Sequence, residues 1–197
     1  LLLAFVILSL IFWNYLKYKR KRYSIQKIKN NLPIILLVLL FSQITIGAFV
    51  SGLDAGKIYN SWPLMGSTYF PDDNSLRNLF TLSVFNEASL VQFIHRNLAY
   101  LIVFVYLLIL FNAYKNKLST FFITINLIGV FLFLQIILGI LTVLSGAQIF
   151  IASAHQISSI FLVSSSIYLI YLNSNINLRP LNKAYQKRPL KLVLNQQ

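Results

Sequence analysis

A chain of 197 residues that is 57% hydrophobic and only 11% charged is too apolar for an ordinary soluble domain; it has the composition of a polytopic membrane protein. It contains no cysteine, which excludes disulfides and thiolate-held zinc or iron–sulfur sites. Its formal charge of +13 could suit a nucleic acid, but the placement of the charges argues against that partner.

Five apolar segments follow in chain order, at 1–16, 32–52, 91–111, 118–144 and 148–172. A helix rising 1.5 Å per residue needs about 20 residues to cross the hydrocarbon core. The last four segments are long enough. The first is not, and the chain opens at Leu1 with Met65 as its only methionine, so 1–16 is read as the end of a helix truncated on its N-terminal side. No cleavable signal pattern is present. The expected fold is all-α: a polytopic membrane helical bundle with a four-helix unit over 32–172, preceded by the truncated transmembrane helix 1–16.

Between these segments the charges alternate. Lys17, Lys19, Arg20, Lys21, Arg22, Lys27 and Lys29 fill the basic connection 17–31. Lys115 and Lys117 occupy the connection between the third and fourth segments, and Arg179, Lys183, Lys187, Arg188 and Lys191 occupy the tail 173–197. The other side holds only Lys57, Arg77 and Arg96, with all four acids, Asp54, Asp72, Asp73 and Glu87. This is the positive-inside pattern. It places the basic connection and tail in the cytoplasm (or matrix) and the loop 53–90 outside, with the lipid bilayer, not nucleic acid, as the partner.

The third segment opens on His95 and Arg96, groups that are costly inside a bilayer. The only other histidine, His155, stands near the start of the fifth. Both lie within about two turns of the outer end of their helix. A weak repeat relates them. "QITIG" at 43–47 precedes an outer loop and "VQFIHR", and "QIILG" at 135–139 precedes one and "IASAHQ". Two parallel repeats pack around an axis along the membrane normal, which would set His95 opposite His155. Gly47 and Gly139 would then allow close approach of a helix or a flat ligand.

Two opposed histidines can hold a metal ion, a heme, a proton path or nothing. Zinc wants three or four protein ligands, which this inventory does not supply. Heme iron needs only two, and a bis-histidine heme in an apolar bundle fits best. Phe93, Phe104, Phe131, Phe133 and Phe161 are available for the faces of such a ring, or for plain packing and lipid contact. Arg96 is either an arginine anchoring the interface or a cationic partner for a heme propionate.

The strings "GLDAGKIYNSWPLMG" (52–66), "FNEASLVQFIHRNLAY" (85–100), "LQIILGILTVLSG" (134–146) and "ASAHQ" (152–156) resemble the C-terminal half of heme A synthase of the alphaproteobacterial and mitochondrial type. The resemblance covers roughly 32–172. It implies an eight-helix membrane protein of two four-helix halves, which oxidises the C8 methyl of heme O to the formyl of heme A with water as the oxygen source. It implies a heme b cofactor in this half, with His95 and His155 as the axial ligands. The substrate site and catalytic residues are then expected upstream of Leu1. Some relatives carry a cysteine pair in the outer loops, which this chain lacks. The resemblance further implies heme O as substrate, heme O synthase (the farnesyltransferase) as a partner, and the bacterial inner (plasma) membrane, or else the mitochondrial inner membrane, as location. A homo-oligomer stays open.

The same resemblance makes Asn60, Trp62 and Pro63 part of an ordered cap over the outer end; an interfacial aromatic belt holding Tyr59 and Trp62 is the alternative. Glu87 reads as an exposed loop carboxylate rather than a proton relay. Two rival functions remain: a b-type cytochrome anchor limited to electron transfer, and a heme-free transporter or scaffold. A transporter is disfavoured because Pro33, at a segment start, is the only proline in any segment, and no segment carries an acid at mid-depth.

Overall fold

Backbone amides have no water to bond with at bilayer depth, so spanning segments close their hydrogen bonds within helices. The computed structural model, which describes residues 1–19, 26–28 and 30–174, follows that rule. Its helices are α1 (Leu2–Tyr18), α2 (Leu32–Gly52), α3 (Ala88–Lys115), α4 (Ser119–Leu144) and α5 (Ile149–Ser174). Among the described residues there is no strand, only an isolated bridge between Met65 and Thr68. Helices α2 to α5 are each long and apolar enough to cross a membrane. The chain is an integral membrane protein of the expected all-α class.

Local chemistry sets the helix ends. Pro33 lies in the first turn of α2, where its missing N–H costs no hydrogen bond. Helix α3 outruns its apolar stretch at both ends, because Ala88 and Ser89 lead in and Asn112 to Lys115 continue the spiral. Lys115 then turns its ammonium back over the Phe111 ring, 5.5 Å away. Between α4 and α5, Gly146 and Ala147 both take left-handed backbone angles, which reverse the chain within a few residues.

Helix α2 packs on α3, α3 on α4, α4 on α5, and α5 back on α2, which closes a four-helix ring; α1 lies outside it against α5 and α2. This order sets α3 and α5, the two histidine helices, at opposite corners. The buried apolar core is one-sided along the axis. Leu36 and Leu40 of α2, Ile102 to Ala113 of α3, Phe121 to Leu132 of α4 and Leu162 to Leu172 of α5 make it. All lie toward the end where α1, α3 and α5 finish.

That end is closed by a strap. The Gln26 amide donates to the Lys117 carbonyl at 3.1 Å, and the Gln26 Oε1 accepts from the Thr120 N–H and hydroxyl, each at 3.3 Å. The Ile28 N–H donates to Asn173 Oδ1 at 2.8 Å while Asn173 Nδ2 donates to the Ile28 carbonyl at 3.4 Å. Ile28 itself is buried beneath the bundle. Lys17, Lys19, Lys27, Lys115 and Lys117 gather at this end, and the four acids at the other, as the alternation required. Arg20, Lys21, Arg22, Lys29 and the basic residues of the tail lie outside the described residues.

The opposite end carries the loop 53–90, folded as three short 3₁₀ turns, Ala55–Lys57, Leu76–Phe80 and Leu82–Asn86. It crosses from the α2–α3 side to the α4–α5 turn. A Cβ placed on Gly56 would meet Ala147 Cβ at 3.2 Å, and one on Gly146 would meet Asn60 Nδ2 at 3.3 Å. Asn60 therefore sits within a cap over the bundle end, while Trp62 stays 45% exposed at its rim.

The strap yields a stability prediction. Asn173→Ala deletes both bonds to Ile28 and leaves a partly buried N–H unpaired, which should lower stability by about 1–3 kcal/mol. Thermal unfolding in detergent is the check, with the exposed Asn116→Ala as the matched control.

Candidate functional site

Helices α2 and α3 form one unit, and α4 and α5 repeat it. In each, a glutamine and a glycine four residues later share one helix face, aimed at the neighbouring histidine helix. Gln43 Nε2 donates to the backbone carbonyl of His95 at 3.1 Å, and Gln135 Nε2 donates to that of His155 at 2.8 Å. One turn further on, a Cβ added to Gly47 would lie 3.2 Å from His95 Cε1, and one added to Gly139 would lie 3.2 Å from His155 Cε1. Each imidazole thus rests edge-on against a glycine that leaves it just enough room.

The units differ at one point. The Gln135 amide also donates to the Ser158 hydroxyl, which in turn donates to the His155 carbonyl at 3.0 Å. The residue in the matching place after His95 is Leu98, which has no hydroxyl. There the Gln43 amide lies 3.2 Å from the His95 ring nitrogen Nε2 instead. In both histidines Nδ1 is buried without a hydrogen-bond partner among the described residues.

Packing around the rings is sparse. Over 41–52, 93–101, 133–144 and 149–161 only Ser158 is buried; every other residue is half-buried or exposed. The histidine half of the bundle lacks the filled apolar core of the other half. Its unpartnered polar atoms point to an internal ligand rather than to packing. No group of three or more histidine and acidic side chains could hold a lone metal ion among the described residues. A separate groove of about 1000 Å³ opens between α3 and α4 along Tyr106, Tyr114 and Phe133, away from the histidines.

The five phenylalanines divide. Phe104, Phe133 and Phe161 are 58%, 66% and 52% exposed, where lipid would cover them. Phe131 and Phe161 stack with ring centres 5.3 Å apart, and Phe93 packs edge-on against Tyr69 and Phe70 of the loop.

Arg96 and Gln92 hold the cap. Arg96 donates from one terminal nitrogen to the Tyr59 carbonyl at 3.0 Å and from the other to the Leu64 carbonyl at 3.2 Å. Gln92, fully buried, donates to the same Tyr59 carbonyl at 3.1 Å. These bonds tie the segment around Asn60, Trp62 and Pro63 to the turn of α3 that bears His95, a link the sequence did not disclose. Arg96 Nε remains without a partner among the described residues. The Tyr59 hydroxyl donates to Asp72, and that hydrogen bond, helped by the loop acids, pushes the phenol up to about 12. Glu87 is exposed at the head of α3 and makes no side-chain cap bond, as expected of a loop carboxylate.

The family model described as "Cytochrome oxidase assembly protein" matches residues 1–167. A heme A synthase of Pelagibacter ubique (strain HTCC1062) is 42% identical over 173 residues, 88% of this chain and 51% of that protein. Heme A synthases of two Wolbachia strains are 39% and 41% identical over 89% and 86% of this chain, covering 53% and 48% of their own lengths. The chain therefore spans about half the length of the curated relatives it matches. No solved structure gives a significant match.

Two outcomes are expected from the cap. Arg96→Leu removes two charge-assisted bonds, about 2 kcal/mol of local stability, so protease cleavage within 53–66 should quicken roughly thirtyfold. The phenol–carboxylate bond is intact below the ordinary tyrosine value of 10 and is lost as pH rises towards 12, because the folded loop holds that proton more tightly. Asp72→Ala should bring one tyrosine titration back towards 10, read by phenolate absorbance.

Proposed function

Because the chain belongs to the cytochrome oxidase assembly protein family, we propose that it is the heme b-bearing, C-terminal half of a heme A synthase. The observation that carries this reading is the pair of histidines at opposite corners of a bundle whose apolar core stops short of them. Each keeps a buried, unpartnered ring nitrogen beside a glycine. Two nitrogen donors and an apolar, under-filled surround suit an iron porphyrin, which brings four equatorial ligands of its own.

In this reading His95 and His155, as neutral imidazoles, would hold the heme iron. The domain is 32–172, and the reaction of the whole protein turns the C8 methyl of heme O into the formyl of heme A. That change consumes one water and releases four protons and four electrons. Heme b, when bound, supplies a one-electron carrier for their removal. This chain's residues supply the setting. Gly47 and Gly139 leave clearance beside the rings, and the cap tied down by Gln92 and Arg96 screens the site from water. Arg96 keeps one buried N–H, on Nε, for a propionate. The gathering of basic residues at the strap end supports an orientation with that end in the cytoplasm. The bacterial sources of the relatives above support the bacterial inner membrane. Heme O and the farnesyltransferase that makes it are the proposed substrate and partner.

The test is spectroscopic. The purified protein should show the absorption of a low-spin, six-coordinate heme b, and His95→Ala or His155→Ala should each abolish it. A correctly folded but colourless wild type, or two histidine variants with unchanged spectra, would overturn the assignment. Arg96→Leu should keep the low-spin spectrum and shift the midpoint potential.

A further inference from the structure

The duplicated glutamines have no part in the reading above, yet they are the polar side chains that the structure aims at the histidine backbone in both units. We propose that Gln43 and Gln135 are positioning residues: each fixes the rotation and depth of its histidine helix by holding the histidine's own carbonyl. We infer further that Gln43 also selects the tautomer of His95. The proposal deepens the heme reading, and its heme-dependent part rests on it.

A carbonyl inside an α-helix accepts from the N–H four residues on and can take a further donor on its second lone pair, which at His155 the Gln135 amide shares with the Ser158 hydroxyl. A side-chain amide reaching that lone pair from the neighbouring helix locks the two helices in rotation and in height at one point. It does so twice, at 3.1 Å for His95 and 2.8 Å for His155. In each unit the glycine one turn along the same face meets the same imidazole. The histidine is therefore held at its backbone and stopped at its ring by one helix face. In a half of the bundle that has almost no buried side chains, packing does not supply that constraint.

The inequality of the units follows from a single residue. Ser158 gives the Gln135 amide a hydroxyl to meet, so its N–H groups are spent on that hydroxyl and the carbonyl. Leu98 offers nothing, and the Gln43 amide turns to His95 Nε2 at 3.2 Å. A nitrogen faced by an amide N–H must be the acceptor nitrogen of the ring, so the proton of neutral His95 sits on Nδ1. The orientation of the amide is itself fixed, because the same nitrogen donates to a carbonyl.

The experiment uses the chain with ¹⁵N-labelled histidine in lipid bilayers, where its two histidines give two resolvable sets of ring signals. Without heme, wild-type His95 should report the proton on Nδ1. Gln43→Met should return it towards the Nε2-protonated form favoured by free side chains and leave His155 unmoved. Ser158→Leu should carry the His155 signals towards those of His95. Unchanged His95 signals in Gln43→Met overturn the tautomer claim, and unchanged His155 signals in Ser158→Leu overturn the account of the inequality. With heme bound, Gln43→Met and Gln135→Met should retain low-spin absorption but alter the g-value spread of the oxidised heme, which follows the angle between the imidazole planes. Identical spreads in both variants overturn the positioning role. If a Met variant does not fold, Gln43→Asn and Gln135→Asn, which withdraw the amide by one methylene, should give the same changes in smaller measure, and their absence counts equally against the proposal. A wild type that takes up no heme overturns the functional reading, while the heme-free signals still decide the role of Gln43.

Discussion

A polar group at bilayer depth must find its partner inside the protein. That constraint weighs most in the histidine half of this bundle, where few side chains are buried. Away from the core half, the helices are held together by side-chain amides and carbonyls: Gln43 to His95, Gln135 to His155, Gln92 and Arg96 to the cap. Each such bond has a direction and a length, whereas lipid-like side chains pack without either. The histidine half can therefore be sparsely filled and still well defined.

The two ends of the molecule divide the work. The strap around Gln26 and Ile28 closes the end with the filled core, and there the chain gains its rigidity. The cap is bonded to α3 through Gln92, Arg96 and Asn97, all in the turns around His95, and it also touches the α4–α5 turn at Gly146 and Ala147. The outer loop and the histidine are consequently one mechanical unit. A change that moves the loop is felt first at the ring below it.

Much of this was legible in the residues. The span 32–52 coincides with α2 because Pro33 and the end of the apolar run mark both its limits. Helix α3 was read short, since polar residues that continue a helix, such as Asn112 and Lys115, carry no hydropathy signal. The grouping of charges at two ends and the pairing of the histidine helices also followed from the sequence. The work of the glutamines did not. The spacing from Gln43 to Gly47 and from Gln135 to Gly139 placed them on one face, but only coordinates reveal that the face meets a carbonyl. In the sequence Arg96 suits an interface anchor or an anion partner equally; its bonds to Tyr59 and Leu64 depend on a loop fold that no periodicity encodes. Phe104 and Phe133 are possible ring neighbours in the sequence, yet both face the outside of the bundle, because composition does not tell which face of an all-apolar helix turns inward.

Helix α3 carries two cations, Arg96 near the outer start of its apolar stretch and Lys115 just past the inner end. Nineteen residues separate them, roughly 28 Å along the axis, close to the thickness of the hydrocarbon layer. Sliding the helix in either direction would drag one of these charges into oil. The membrane itself thus acts as a spirit level for His95, and a thinner or thicker bilayer would tilt the very element on which the ring is mounted.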